Sequence, residues 1–363
     1  MSHALFCKNC EESDLKILKK KIITLGLALT ICAGSLTGCG SDTKIIFTSG
    51  LSGNQLFKIG SACCTMPEIM IYLTTFYNQY EKTYGEEMWQ YDFGGISLEE
   101  HVKDIVISKM AQIKVMTLMA KEYHIELSEE EKAKVSQAAD AYYEQLPETL
   151  KKKENITLEI AEKVFEEYTL ANKVYASITE AADMEISDDE ARTVTVQEIS
   201  FRNWKLQSGE QVALEESDLL KVRKGAESAL ERITQGEAFE TVAAECSEEK
   251  QLVKSYARGE TEEAFENVIF SLDEGEVSCL LEIEDGFYIV KCISTMDYDA
   301  TQANKLVLAE KRKKEAFSKA YEEIAANTHS QFRDRLWEAL SLDEETHKAD
   351  VGFFEIYEEY IKQ

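Results

Sequence analysis

The segment Phe265-Glu266-Asn267-Val268-Ile269-Phe270-Ser271-Leu272-Asp273-Glu274-Gly275-Glu276-Val277-Ser278 sits where the hydrophobic period of the chain differs from that of its flanks. On its C-terminal side, Val277 to Leu281 and Phe287 to Ile293 read as two strands joined through the turn Glu284-Asp285-Gly286. On its N-terminal side, Phe239 to Cys246 reads as a short helix and Leu219 to Gln235 as a longer one, ended by Gly236. Further back, Val194-Thr195-Val196-Gln197-Glu198-Ile199-Ser200-Phe201 is rich in β-branched residues and reads as a strand. The sum is a small β-α-α-β-β unit near residues 192–297.

The flanks repeat at helical spacing. Met66-Pro67-Glu68 places a proline in a first helical turn, where its missing N–H costs nothing. Ile69, Leu73, Phe76 and Tyr77 follow on one side. Ser97-Leu98-Glu99-Glu100 is a capping box. It opens a helix whose apolar material is Val102, Ile105, Val106, Met110, Ile113, Met116, Leu118 and Met119, and the three Met residues are expected in its core. Further boxes stand at Ser128-Glu129-Glu130-Glu131 and Ser187-Asp188-Asp189-Glu190, with an amphipathic helix over 158–178 between them. From about Thr301 to Leu340 the chain again reads as helix, with Phe332, Leu336, Trp337 and Leu340 as its last apolar side. Only 2 Pro and 17 Gly interrupt the chain, in keeping with long helices.

At the N-terminus, Lys19-Lys20-Lys21 precedes an apolar run from Ile22 to Ala33. That run falls short of the ~20 residues a membrane span needs and has the layout of a secretory signal. It ends in Leu36-Thr37-Gly38-Cys39, which resembles the lipobox of bacterial lipoproteins. The resemblance implies a signal peptide over 1–38, cleavage before Cys39, and lipidation of Cys39. Residues 39–60 then form a lipidated tether, with a strand around Lys44 to Thr48. The simpler reading of the run is a buried apolar helix with a chance cysteine. Cys7-x-x-Cys10 is at best half a zinc site. The five cysteines beyond Cys39 (Cys63, Cys64, Cys246, Cys279 and Cys292) are odd in number and suggest no disulfide framework.

Composition narrows the function. The 363 residues carry 40 Lys+Arg against 68 Asp+Glu, a formal net charge of -28. Such a balance argues against nucleic acid as partner and against docking on anionic lipid through a basic face. With 44 % hydrophobic residues, 16 Tyr and 15 Phe, the chain is no disordered acidic tail. Loss of residues 1–38 removes five Lys and three acidic residues, so 40 against 68 becomes 35 against 65. The charge cannot hold the mature chain to a membrane, so the lipid must. It would favour cationic clients.

Residues 194–291 resemble the parvulin family of peptidyl-prolyl isomerases. Val194–Phe201 stands at the family's first strand, and Gly236-Glu237-Ala238-Phe239-Glu240-Thr241-Val242-Ala243 is similar to its Gly-x-x-Phe-x-x-x-Ala segment. Cys246-Ser247-Glu248-Glu249 follows at the Ser-x-Asp place, and Arg258-Gly259-Glu260-Thr261 at Arg-Gly-Glu-Met. The most specific match is Phe265–Ser278, against Phe-Glu-x-Ala-x-Phe-x-Leu-x-x-Gly-Glu-x-Ser. Asp285-Gly286-Phe287-Tyr288-Ile289-Val290-Lys291 resembles the closing Gly-Tyr-His-Ile-Ile-Lys strand. A lipobox, a helical region, a parvulin-like unit and C-terminal helices follow the order of PrsA-like foldase lipoproteins and SurA-like chaperones.

The resemblance implies an α+β fold: a helical chaperone-like domain built from N- and C-terminal segments, with an inserted small parvulin-like β-α-β domain. The expected bounds are 61–190 for the N-terminal helical part, 191–298 for the parvulin-like domain and 299–363 for C-terminal helices packing with the first part. It implies a proline pocket and polar groups that favour the twisted amide, without covalent chemistry, cofactor or metal. Glu198 and Tyr288 stand where the family has histidines, Glu249 at the Asp/Cys place and Thr261 at the pocket Met place, while Phe265 and Phe270 are kept. No His lies between His124 and His329, and the Gly-Gly-Asp-Leu-Gly of the family is missing. The candidate catalytic residues are therefore Glu198, Glu249 and Tyr288, and the candidate substrate-binding residues Thr261, Phe265 and Phe270. Plainer readings compete with these. Glu198 could face water, Glu248-Glu249 could be a solvated helix end, Tyr288 could be a packed residue, and Phe270 is the phenylalanine expected in the core. His101 and His124 read as surface residues.

The implied function is that of a membrane-anchored extracytoplasmic folding factor, binding unfolded or newly secreted polypeptides, with a homodimer as one possible assembly. Isomerase turnover stays open because the usual catalytic histidines are absent. The alternative is a non-catalytic substrate-binding or structural lipoprotein whose parvulin-like unit is an inert scaffold. No nucleophile elbow, His-x-x-x-His helix or P-loop supports a hydrolase.

Overall fold

The computed structural model describes residues 50–362 except 52, 93–94, 182–184, 208, 343–348 and 350. The expected signal peptide, Cys39 and the strand around Lys44 to Thr48 lie outside the described residues.

Within the described residues the chain opens with β1 (Gln55–Ile59) and β2 (Ala62–Thr65), then α1 (Met66–Tyr84), α2 (Leu98–Glu122), α3 (Glu129–Gln145), α4 (Glu148–Glu154) and α5 (Leu158–Glu180). A short α6 (Asp188–Ala191) leads into β3 (Thr193–Arg202), β4 (Trp204–Gln207), β5 (Glu210–Ala213), α7 (Glu216–Thr234), α8 (Phe239–Cys246), β6 (Val253–Ala257), α9 (Glu263–Ile269), β7 (Leu281–Ile283) and β8 (Gly286–Ser294). The chain closes with α10 (Tyr298–Ala326), β9 (Ser330–Phe332), α11 (Asp334–Glu338) and α12 (Phe353–Tyr360). Two compact units result, one of residues 1–181 with 314–363 and one of residues 182–313.

The first unit is helical. Ser97 and Ser128 each accept from the backbone N–H three residues on, and Glu100 and Glu131 return the bond, so both capping boxes close. Its core joins distant parts of the sequence. Phe353 of α12 is fully buried and meets the rings of Phe165 at 4.3 Å, Tyr72 at 5.0 Å, Tyr168 at 5.4 Å and Tyr142 at 6.3 Å. The three-stranded sheet does the same, because β1 pairs with both β2 and β9. This is the expected helical domain made from both ends of the chain, and α+β is the fold class. Met110, Met116 and Met119 are core residues. A charged group is buried with them: Lys114 Nζ lies 2.6 Å from Glu68 and 2.5 Å from Glu167, and Lys163 reaches Glu68 at 2.6 Å. The two carboxylates hold the Lys114 ammonium charged, while burial pushes the Glu167 carboxyl up.

Two expectations for the flanks need correction. The tether expected to reach residue 60 already contains β1, whose Leu56 and Phe57 are buried. The helix expected over 301–340 stops at Ala326. Phe332 belongs to strand β9, and Trp337 to the short α11. Backbone pairing of β9 with β1, more than 270 residues away in the chain, is invisible to a helical-period count.

The second unit is built on a four-stranded antiparallel sheet in the order β6-β3-β8-β7. Ile199 and Phe201 of β3 and Phe287 and Ile289 of β8 face α7 and α8, forming one small core. The opposite face carries Val194, Val196, Val290 and Cys292 against Phe265, Ile269 and Leu272, which recur at one-turn spacing from α9 onward. The segment that follows α9 is pinned to β8. Gly275 N–H donates to Cys292 O at 2.8 Å, Ser278 N–H to Val290 O at 2.8 Å, and Val290 N–H to Ser278 Oγ at 2.9 Å. Gly286 opens β8 opposite Arg202, where a Cβ would lie 2.2 Å from Phe201 O, so only glycine lets the strands meet. The strand expected from Val277 is instead Leu281–Ile283, with Val277 making an isolated bridge to Lys291. Strand β6 and the hairpin of β4 and β5 carry no counterpart in the expected β-α-α-β-β order.

Candidate functional site

Strand alternation decides which side chains of β3 can meet. Glu198, Ser200 and Arg202 share one face, opposite Val290, Tyr288 and Gly286 of β8. Glu198, which could have faced water, has no exposure. It is paired with Lys254 of β6 and accepts the Tyr256 hydroxyl at 2.8 Å. Tyr256 and Tyr288 flank Phe265, each with ring centroid 5.6 Å from it and in T-shaped contact. The Tyr288 hydroxyl donates to Asp285 Oδ2 at 2.9 Å. Burial, followed by the Glu198 carboxylate, raises the Tyr256 phenol; burial, followed by the bond to Asp285, raises that of Tyr288. Both phenols therefore stay neutral near pH 7.

Glu198 and Tyr288 thus belong to one cluster around Phe265, whereas Glu249 does not join it directly. Glu249 is partly exposed and pairs with Arg202 at 3.4 Å. Arg202 also lies over the Trp204 ring at 4.9 Å and acts on Tyr288 through its charge. Thr261 follows the turn at Gly259, with its Oγ1 buried and unpartnered. The expected places of the two phenylalanines are exchanged. Phe265 is the core residue, at 3 % exposure. Phe270 is half-buried beneath the guanidinium groups of Arg192 at 5.1 Å and Arg258 at 4.5 Å. Five residues on from Phe265, it falls off the stripe that Ile269 and Leu272 continue.

Sequence reasoning missed Ser200, Arg202, Lys254 and Tyr256. Ser200 is 4 % exposed, its Oγ has no partner, and its backbone is tied to the loop after α8 by Ser247 Oγ at 3.2 Å and Glu248 N–H at 3.0 Å. The alternation Val253-Lys254-Ser255-Tyr256 is the one signal that could have revealed β6, and it is short. The hydroxyl protons of both tyrosines are spent on carboxylates. Those of Ser200 and Thr261 are not, and Ser200, opposite Tyr288 in the sheet, lies beside the aromatic cluster. Among the described residues no group of three or more His, Cys, Asp or Glu is placed to hold a metal ion.

Known proteins bear on this arrangement. The family model described as "Rotamase: PPIC-type PPIASE domain" matches residues 206–294. The chain is 22 % identical over 316 residues to the foldase protein PrsA of Caldanaerobacter subterraneus, covering 84 % of this chain and 94 % of that one. It is 24 % identical over 244 residues to the foldase protein PrsA of Clostridium acetobutylicum, covering 63 % and 70 %. Against the solved PrsA of Bacillus cereus it is 15 % identical, with 88 % of this chain and 99 % of that chain covered and a TM-score of 0.35. The matched span runs from β4 through β8, so the second unit carries a domain similar to PPIC-type rotamases, and the chain as a whole is similar to PrsA foldase proteins.

Proposed function

We propose that the protein is a lipid-anchored, extracytoplasmic folding factor that binds unfolded secreted chains on the β3–β8 face, with prolyl isomerisation as a slow accompaniment. The observation that carries this reading is the pair of half-buried, neutral tyrosines, Tyr256 and Tyr288, which cover the buried Phe265 ring beside the unspent hydroxyl of Ser200. Rotating an X–Pro bond means crossing ~18–20 kcal/mol of amide resonance. A twisted amide gains a basic nitrogen, so a neutral hydroxyl donor beside a proline-sized apolar surface lowers that barrier by differential binding. No proton needs to leave the protein. Glu198 is committed to Lys254 and Tyr256 and cannot serve as a free base, which favours binding over fast turnover. Membrane attachment rests on Cys39, and the extracytoplasmic location on the signal-like segment before it.

Two measurements test the proposal. A proline-peptide isomerisation assay should give a small rate above buffer, and an unfolded client should aggregate less in the presence of the protein. A rate equal to buffer with suppressed aggregation leaves a holding chaperone. Failure of both removes the folding role and leaves the inert scaffold. Cys39→Ser should move the protein from the membrane fraction to the soluble one.

A further inference from the structure

Beside the Phe265 cluster, the second unit contains a cavity of about 500 Å³ lined by Asn203, Trp204, Gln211, Leu219, Glu262, Glu284 and Asp285, among others. One wall is the β4–β5 hairpin. Its pairing sets Trp204 opposite Ala213 and Leu206 opposite Gln211, so Trp204, Leu206, Gln211 and Ala213 share a face. Leu206 on that face is 66 % exposed, a large apolar side chain left in water. The other wall is acidic. Glu262 accepts the Glu284 N–H at 3.1 Å, and Asp285 accepts the Tyr288 hydroxyl at 2.9 Å, so this wall is continuous with the candidate site. No Lys or Arg lines the cavity. Arg202, which lies over the Trp204 ring at 4.9 Å, has its charge offset by Glu249 at 3.4 Å.

We infer that this groove seats a positively charged residue of the client, Lys or Arg, next to the prolyl bond held at the Phe265 cluster. The inference rests on the proposed function. Charge complementarity selects the occupant: Glu262, Glu284 and Asp285 line one side for a cationic head, while Trp204 and Leu219 offer apolar surface to its aliphatic stem. The negative charge of the whole chain draws the same clients at longer range.

The test uses the full mature chain and two labelled unstructured peptides, identical except for Lys or Glu preceding a single Pro. Anisotropy gives affinity, and intrinsic emission reports seating at Trp204, the one Trp between residues 182 and 313. The Lys peptide should bind about three- to tenfold tighter at low salt, an effect that 0.5 M salt erases. It should shift the emission of the wild type but not of Trp204→Phe. Glu284→Lys should abolish the preference, and Gln211→Lys, on the opposite wall, should do the same if the first variant misfolds. Equal binding of the two peptides overturns the groove and leaves peptide binding standing. A Lys preference that survives both variants without an emission change also overturns it. If neither peptide binds, the proposed function falls, and the groove with it.

Discussion

The Glu198–Lys254 pair offers a sharp test of how dry the β3–β8 face is. Glu198 has no exposed side-chain surface, whereas Lys254 keeps 32 % of its own. The two halves of one ion pair should therefore have unequal costs. Lys254→Met strands a carboxylate that retains only the Tyr256 hydroxyl, and breaking a buried pair in this way costs about 3–5 kcal/mol. Glu198→Gln frees a lysine that can swing into water and keeps an acceptor for Tyr256, so its cost should be about 1–2 kcal/mol, the range of one charged hydrogen bond. The double variant should be less damaged than Lys254→Met alone, because no charge is left buried. Hydrogen exchange read by mass spectrometry on β3 and β8 peptides gives local opening energies for all four proteins. Equal costs for the two single variants, or less than about 1 kcal/mol for Lys254→Met, would show that Glu198 is hydrated. The cluster would then lose its fixed acceptor for Tyr256.

Other expectations can be checked alongside. Any isomerase rate should be flat between pH 6 and 9, because residues 182–313 contain no His and both site phenols are raised by burial. A titration near pH 6.5 would contradict this. Tyr288→Phe should weaken peptide binding only a few-fold, since the ring packing on Phe265 survives and one hydroxyl of ~1 kcal/mol is lost; a hundredfold loss in a binding titration would give the hydroxyl a direct role. In the helical unit, Lys114→Met should lower stability by about 3–5 kcal/mol in urea unfolding, leaving Glu68 buried with only Lys163 and the Thr65 hydroxyl and depriving Glu167 of the ammonium 2.5 Å away. Lys163→Ala, whose side chain is 43 % exposed, should cost about 1 kcal/mol. Lys114 is raised, so its contribution is complete below the ordinary lysine range and fades as the pH climbs through its folded value. The deficit of Lys114→Met should shrink as the pH falls, because the Glu167 carboxyl, already raised by burial, loses the ammonium that held it down and takes up a proton in the folded variant.

Much of the second unit was legible in the linear sequence because its strongest signals are local. The helices over 219–235 and 239–246, the turn at Glu284-Asp285-Gly286 and the alternation through β3 and β8 each depend on residues a few places apart. Capping boxes at Ser97 and Ser128 were legible for the same reason. The exchange of Phe265 and Phe270 was not, since both are aromatic in one short segment and only the sheet beneath decides which faces inward. Tyr256 and Lys254 escaped because β6 is a five-residue strand whose partners lie some 60 residues upstream. Glu198 shows the difference most plainly. Its place in β3 could be read from the chain, yet whether that carboxylate faced water or was sealed under two tyrosines and a lysine depended on β6 and β8 closing over it. Residue type and local period determined the units of this protein, and long-range strand pairing decided which of its polar groups are buried, paired or left without a partner.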